Sequence, residues 1–210
     1  MDRAPTLICF AVKEEAKFVA ENDSTRILIA GMGCKNATEN LRKELSKTHP
    51  ALVLTCGFAG GLNPELKLSD VVFDADAESN LKEKLMKLSA KPARFHCAES
   101  VVITAAEKQA LWESTRADAV EMESSAMRKI CREQKIPSAT IRVISDPAGA
   151  DLPLDFNALM TPDMRINFVK LALELMTKPQ KVPQLMRFQK QTSDAARKLA
   201  EVLNALLACD

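Results

Sequence analysis

The sequence predicts a three-layer α/β domain in which helices cover both faces of a central sheet. Short apolar runs rich in β-forming residues alternate with stretches that carry apolar residues at helical spacing. This alternation is typical of α/β folds, whose sheet is buried between helices. A chain of 210 residues is long enough for one such domain. We therefore expect one domain over residues 1–210, with a helical C-terminal tail from about residue 162.

The first half of the chain supplies most of the predicted strands. We expect strands at 7–12, 26–30, 51–56 and 70–73, and a helix at 36–47. The glycines from Gly57 to Gly61 should end the third strand in a turn, because glycine punctuates regular structure. Further along, the pattern indicates a charged helix near 80–89 and strands around 94–97 and 100–103.

The second half carries more helix. Residues 105–114 should form a helix with Thr104 as its N-terminal cap. A short strand closing in Val-Glu-Met-Glu at 120–123 should run into a helix at 124–134, and a buried strand at 139–144 should present Ser145 and Asp146 at its tip. Helices at 162–176 and 193–207 follow, separated by a basic segment at 181–190.

Composition excludes several classes of function. The formal net charge of +1 gives no reason to expect a nucleic-acid partner. Six cysteines without a Cys-x-x-Cys pair are typical of buried reduced thiols in a cytosolic protein, and two distant histidines predict no metal site. The chain has no run of about 18 apolar residues, and its first residues lack the apolar core of a signal peptide. We therefore expect a soluble, cytoplasmic protein.

Two glycine-containing segments are candidate ligand loops. Gly31-Met32-Gly33 and Gly57 to Gly61 each follow a predicted strand. Backbone amides at such turns suit a ribose oxygen or an anion, although the same glycines are equally explained as tight turns. Neither segment matches the dinucleotide or ATP fingerprints, so no cofactor is predicted.

Several acids occur at predicted strand ends, where α/β sheets commonly bind ligands. Glu15 follows the first strand and can act as a general base, or belong with Glu14 to a solvated helix turn. Glu121 and Glu123 should point to opposite sides if the strand persists through both, so at most one should enter a given pocket. Asp146 can donate a proton to a leaving group or cap a turn.

Arg142 bears on that choice. It is a charged residue inside an otherwise apolar strand, and a buried charge usually needs a carboxylate partner. An acidic partner therefore has to lie near this strand. This favours the interpretation that the neighbouring carboxylates are functional.

The motifs together resemble one enzyme family. The stretches are AVKEE at 11–15, AGMG at 30–33, GFAGGL at 57–62, VEME at 120–123 and IRVISD at 141–146. In this order they resemble the purine nucleoside phosphorylases and methylthioadenosine/adenosylhomocysteine nucleosidases. Within that family, GFAGGL, ISDPA and the tail motif PxxVPxLMRF are most similar to the hopanoid-biosynthesis-associated phosphorylase-like branch.

The resemblance implies a mixed sheet, a homodimer and cleavage of the N-glycosidic bond of an adenosine-type purine ribonucleoside. It implies that Glu123, with Met122, binds the ribose hydroxyls and that Asp146 protonates or hydrogen-bonds purine N7. Glu15, helped by Arg142, would position or activate water. The remaining predicted substrate-binding positions are Phe156, beside the 5′ substituent, and Glu121, Gly33, Gly60 and Ser145.

Two questions remain open from the sequence: whether the nucleophile is water or phosphate, and which group the substrate carries at its 5′ position. Water is favoured over phosphate because neither glycine segment has an arginine, which a phosphorylase normally uses for its anion. Ala30 and Phe58 depart from the nucleosidase pattern, and the purine clamp is missing between residues 103 and 119, so a non-catalytic nucleoside-binding protein is the rival hypothesis. The stretch between Ile103 and Ala119 is also shorter than in the nucleosidases, which suits a bulky 5′ group such as that of adenosylhopane. The segment at 181–190 would then contact a membrane surface or pack on the core.

Overall fold

The computed structural model describes residues 4–208, which form a mixed sheet of eight strands between two layers of helices. The strands are β1 Thr6–Phe10, β2 Thr25–Ile29, β3 Leu52–Gly61, β4 Val71–Ala75, β5 Lys91–Pro92, β6 Phe95–Cys97, β7 Ala119–Glu121 and β8 Ser138–Asp146. The main order is β2-β1-β3-β8-β4-β5, and β7 pairs with both the end of β3 and β6. Strands β1, β2, β3 and β8 are parallel, whereas β4 is antiparallel to β8 and β7 to β3. The predicted three-layer α/β/α fold with a mixed sheet is confirmed.

The helices divide between the two faces of the sheet. They are α1 Lys13–Ala16, α2 Gly33–Leu45, α3 Lys82–Lys87, α4 Ala105–Thr115, α5 Ser124–Glu133, α6 Phe156–Leu159, α7 Phe168–Thr177 and α8 Val182–Leu207. Because side chains alternate along a strand, Leu7 and Cys9 of β1 pack with α2 and α5, whereas Ile8 and Phe10 pack with α8. Strand β8 lies between β3 and β4, and all nine of its residues are buried. The middle of the sheet therefore places the residues of β8 away from water.

The glycines at 57–61 are the main difference from the predicted elements. They belong to β3, which stays paired with β8 as far as Gly60 and Asp146, with a shift of register between Ala59 and Gly60. The expected strand-to-helix turn is therefore wrong. The physical reason is space: a Cβ on Gly57 would lie 2.4 Å from Oε1 of Glu15 and 2.6 Å from Nη1 of Arg142. These glycines allow charged side chains to lie directly against the strand.

Other boundaries also shift. Residues 100–103 form no strand, and α7 begins at Phe168 rather than at residue 162. Helix α8 begins at Val182, so most of the predicted basic segment 181–190 forms its first turns. The predicted cap of α4 is confirmed, because Oγ1 of Thr104 accepts a hydrogen bond from the Glu107 amide at 3.2 Å.

The cysteines of the described chain are free thiols. Cys9, Cys56 and Cys131 are buried, whereas Cys34 and Cys97 are half-buried, and Cys209 lies outside the described residues. Within residues 4–208, no helix has both the length and the apolar composition needed to cross a membrane.

Candidate active site

Arg142 lies at the centre of a buried group of charges. Its Nη2 donates hydrogen bonds to Oε2 of Glu121 at 2.7 Å and to Oε2 of Glu123 at 3.3 Å. Its Nη1 donates to the carbonyl of Cys56 at 3.2 Å. The expected carboxylate partner for this arginine is confirmed, and two carboxylates share the role.

Alternation along a continuing strand predicts that Glu121 and Glu123 point to opposite sides. In the structure they do not. Strand β7 ends at Glu121, and the backbone turns at Glu123, the N-cap residue of α5, so both carboxylates reach the same guanidinium. The condition for opposite directions, a strand that persists through both residues, is therefore not met.

The two carboxylates nevertheless differ in their other partners. Oε2 of Glu121 also accepts from the amides of Glu123 at 3.0 Å and Ser124 at 2.7 Å, which fixes the first turn of α5. Oε1 of Glu123 accepts from the Gly33 amide at 2.9 Å. The side chain of Glu123 is 8% exposed and that of Glu121 is 1% exposed, so Glu123 is the more open of the two. Burial raises the pKa of Glu123, although the charge of Arg142 opposes the shift.

Glu15 is the third acid beside Arg142. Its Oε1 accepts from the Phe58 amide at 2.8 Å, and its Oε2 accepts from the amides of Ala11 at 2.9 Å and Val12 at 3.2 Å. Burial raises the pKa of Glu15 to about 7, opposed by the charge of Arg142 and by the backbone hydrogen bonds. The alternative of a solvated helix turn holds for the exposed Glu14 and is wrong for the buried Glu15. We call Glu15, Glu121, Glu123 and Arg142 the Arg142 cluster.

Backbone amides of the two glycine segments bind carboxylates of the Arg142 cluster. The amide of Gly33 donates to Glu123, and the amide of Phe58 donates to Glu15. The sequence suggested that such amides bind a ribose oxygen or an anion. The anions that they bind in the structure are carboxylates of the chain itself.

Asp146 lies at the far end of β8 and has two side-chain partners. Its Oδ2 is 2.5 Å from Nζ of Lys108, and its Oδ1 accepts from Oγ of Ser145 at 2.7 Å. Gly60 lies directly opposite, since a Cβ there would be 3.1 Å from Oδ2 of Asp146. The carboxylate is therefore held by Lys108 from α4 and by the neighbouring hydroxyl of Ser145, rather than used to cap its own turn. We call this ion pair the Lys108–Asp146 pair.

Lys108 was not among the predicted site residues. It lies in α4, is fully buried, and follows Glu107 and precedes Gln109 in a helix that otherwise reads as charged and solvated. Lys108 differs from the surface lysines only in being buried. The local sequence of a helix does not indicate that one of its lysines is buried, so Lys108 could not be predicted.

Aromatic side chains lie next to the Asp146 end of β8. Phe156, the first residue of α6, is half-buried, and its ring centroid is 5.8 Å from that of Phe188 in α8. Helix α8 is fixed to the strand end because Nε2 of Gln191 donates to the carbonyl of Ser145 at 2.7 Å. Phe188 was not among the predicted site residues, because it stands within the basic segment that the sequence assigned to a tail.

Two further predicted positions lie near the Arg142 cluster. Gly33 adopts φ +80°, and a Cβ on it would lie 3.5 Å from Cγ of Met164, so the segment before α7 passes over this glycine. The carbonyl of the half-buried Met122 accepts a hydrogen bond from Sγ of Cys34 at 3.1 Å.

Solved structures of nucleoside-cleaving enzymes have the same fold. The futalosine hydrolase of Helicobacter pylori superposes with a TM-score of 0.71 at 17% identity, covering 99% of this chain and 98% of that one. The 5′-methylthioadenosine/S-adenosylhomocysteine nucleosidase from Helicobacter pylori superposes with a TM-score of 0.73 at 17% identity and full coverage of both chains.

Sequence comparison gives a consistent result. The aminodeoxyfutalosine nucleosidase of Campylobacter jejuni is 25% identical over 183 residues, which cover 71% of this chain and 80% of the relative. The family model of the phosphorylase superfamily matches residues 73–208, a range that includes Glu121, Glu123, Arg142 and Asp146. The chain therefore belongs to the phosphorylase superfamily.

Proposed function

We propose that the protein hydrolyses the N-glycosidic bond of a purine ribonucleoside of the adenosine type and releases the free base. The observation that carries this proposal is the excess of acid in the Arg142 cluster, where two carboxylates bind one guanidinium and a third, that of Glu15, lies beside it at Gly57. The relatives' names, two nucleosidases and a hydrolase, support the same class of reaction.

An excess of buried negative charge suits this reaction because the ribosyl ring becomes positively charged as the bond to the base breaks. Preorganised charge of opposite sign at the point where charge develops is usually a large contribution to catalysis. Each ionised carboxylate has about four lone-pair sites for hydrogen bonds. Glu123 uses one for Gly33 and one for Arg142, which leaves sites for the two ribose hydroxyls.

We assign the attacking water to Glu15. Three of its lone-pair sites accept backbone amides, so about one remains for a water proton. A pKa of about 7 is close to the value at which a general base is most effective near neutral pH. The guanidinium of Arg142 lies beside Gly57, as the carboxylate of Glu15 does. It binds the two other acids of the cluster and so fixes their positions. Asp146 would protonate purine N7 at the other end.

The alternative nucleophile is phosphate, as in a nucleoside phosphorylase. The amides of Gly33 and Phe58, which sit where an anion site was expected, are taken by Glu123 and Glu15. The guanidinium of Arg142 is likewise taken by carboxylates, and unpaired acids repel a phosphate dianion. These contacts favour hydrolysis.

Chromatography of the products tests the reaction. The protein is incubated with adenosine, methylthioadenosine and adenosylhopane in phosphate-free buffer and again with phosphate, and bases and sugars are quantified. We expect free base and free ribose at equal rates in both buffers. Ribose 1-phosphate, formed only with phosphate, would replace the hydrolase proposal with the phosphorylase alternative.

A non-catalytic nucleoside-binding protein is the second alternative. It is motivated by Ala30, a buried alanine where nucleosidases often have serine, and by the missing purine clamp. Calorimetry separates the two hypotheses. Tight binding of adenosine with no free base after prolonged incubation would favour the binding protein, whereas turnover removed by Asp146→Asn would favour the enzyme.

We further propose that the 5′ substituent is bulky and apolar, as in adenosylhopane, and that the protein meets it at a membrane surface from the cytoplasm. Helix α7 and the start of α8 leave six large apolar side chains exposed: Phe168, Val169, Leu173, Met176, Val182 and Met186. Residues 168–190 carry five Lys or Arg against one acid, Glu174, in a chain of net charge +1. We call this surface the α7–α8 arm. A basic surface with an apolar face complements an anionic lipid headgroup layer.

Sedimentation with lipid vesicles tests this contact. We expect the protein to bind vesicles of phosphatidylglycerol and phosphatidylcholine and to lose that binding in the double variant Phe168→Ser, Met176→Ser. Met86→Ser is the matched control, because Met86 is an exposed methionine of α3 outside the arm. Light scattering on the same variants tests the proposed homodimer. A change from dimer to monomer without any vesicle binding would assign the arm to a second copy of the chain instead.

A further inference from the structure

Lys108 is a fully buried cation whose hydrogen-bond donors are all used. Its Nζ lies 2.5 Å from Oδ2 of Asp146 and donates to the carbonyls of Ala150 at 2.8 Å and Pro147 at 3.1 Å. An ammonium group has three donors, so this geometry leaves none free. A buried charge is costly unless it is paired, and the charge paired with Lys108 is the acid to which we assign the purine.

The backbone around Lys108 is fixed at the same place. The first turn of α4 is closed by Thr104 and Glu107, whose carboxylate accepts from the Thr104 amide at 2.8 Å. The amide of Ala105 donates to Oδ1 of Asp151 at 2.7 Å. Helix α4 and the loop after Asp146 are therefore held together, and Nζ of Lys108 has little freedom to leave the carboxylate.

We propose that Lys108 is a positioning residue for departure of the base, a role that rests on the proposed function. In the reactive form Asp146 carries a proton taken up from water. As the C1′–N9 bond breaks, its electron pair moves into the purine, and that proton passes to N7. The base leaves neutral and Asp146 is left as a carboxylate. The ammonium of Lys108 and the hydroxyl of Ser145 stabilise that carboxylate at the distances given above, so proton donation becomes more favourable.

A substrate whose leaving group needs no proton separates this role from a structural one. 4-Nitrophenyl riboside departs as a stable phenolate, whereas adenosine needs protonation of its base. In Lys108→Met we expect kcat for adenosine to fall on the order of 10- to 100-fold, the range for losing a hydrogen bond to a charged group. Cleavage of the nitrophenyl riboside should stay within a few-fold of the wild-type rate. Gln109→Met is the control in the same helix, because Gln109 is exposed and its side chain bonds, within residues 4–208, to Glu113 alone.

The outcomes are distinct. Selective loss of adenosine cleavage supports the proposal, and partial recovery of it in Lys108→Arg, which keeps the positive charge, strengthens it. Equal loss with both substrates, or no loss, overturns it. If Lys108→Met does not fold, Lys108→Gln is assayed with the same two substrates, and the same selective loss is expected. Failure of the wild-type protein to cleave adenosine would instead contradict the proposed function.

Discussion

The two buried charge groups of β8 have opposite balances. The Arg142 cluster has three carboxylates for one cation, whereas the Lys108–Asp146 pair has one for one. Arg142 and Asp146 are four residues apart on the same strand, which places their backbones about 13 Å apart along β8. An uncompensated acid group stabilises a cation that forms beside it, whereas in the balanced pair the ammonium of Lys108 stabilises the carboxylate that Asp146 becomes when it gives up a proton. Under the proposed function, the sugar binds at the acid-rich end and the base at the balanced end.

Removal of the acid at the balanced end should have the largest effect. Asp146→Asn keeps the shape of the side chain but removes the proton that N7 needs. We expect kcat for adenosine to fall by about 10² to 10⁴, the usual contribution of general acid catalysis. Base release is measured under saturating substrate, with the affinity for adenosine followed by calorimetry. Unchanged kcat would remove Asp146 from the chemistry and end the distinction between the two groups.

Crowding the acid-rich end should have the next largest effect. Gly57 has φ +144°, and a Cβ on it would overlap Glu15 and Arg142. We expect Gly57→Ala to displace both side chains, reduce kcat/KM by more than tenfold and lower the melting temperature. Gly149→Ala is the matched control, because a Cβ on Gly149 meets no atom within 4 Å and should leave both properties unchanged. Equal behaviour of the two variants would show that β3 is not closely packed against the cluster.

The acid-rich end should show a pH dependence of activity and stability that comes from the titration of Glu15. Because its pKa is raised from 4.5 to about 7, the base is protonated below that pH, and kcat/KM should fall there. Folding favours the protonated form, so the associated stability is fully present below pH 4.5 and is lost as the pH rises through about 7. Relative to Glu15→Gln, the wild-type free energy of unfolding should decrease by about 3 kcal/mol between pH 4.5 and 7.5. Urea unfolding at both pH values measures this, and a constant difference between the two proteins would contradict it.

The sequence predicted the fold and a carboxylate partner for Arg142, because both leave local patterns. The buried strand that carries Arg142 and Asp146 reads as an apolar run, and a charge inside it demands a partner. The direction of Glu121 and Glu123 was missed because alternation assumes a continuing strand, whereas β7 stops at Glu121. Where a strand ends depends on the helix that follows it and on the guanidinium that binds both acids.

Long-range packing explains the other misses. The glycines after Cys56 look like a turn, yet they extend β3 because two charged side chains from other elements need the space of a missing Cβ. Lys108 looks like a solvated residue of α4 and is instead buried against Asp146, 38 positions later in the chain. No local pattern records a contact of that separation.

The smallest predicted effect concerns the support of the balanced end. Thr104 caps the helix that carries Lys108, and Thr104→Ala should lower the free energy of unfolding by about 1 kcal/mol, the usual value for losing such a cap. Thr115→Ala at the other end of α4 is the control, because Thr115 bonds back to the carbonyl of Leu111 and caps no free amide at the helix start. Urea unfolding compares the two variants.

Since Thr104 lies one helical turn before Lys108, its loss should also reduce adenosine cleavage more than cleavage of the nitrophenyl riboside, by a few-fold at most. A larger effect from Thr115→Ala than from Thr104→Ala would mean that the start of α4 does not hold the Lys108–Asp146 pair.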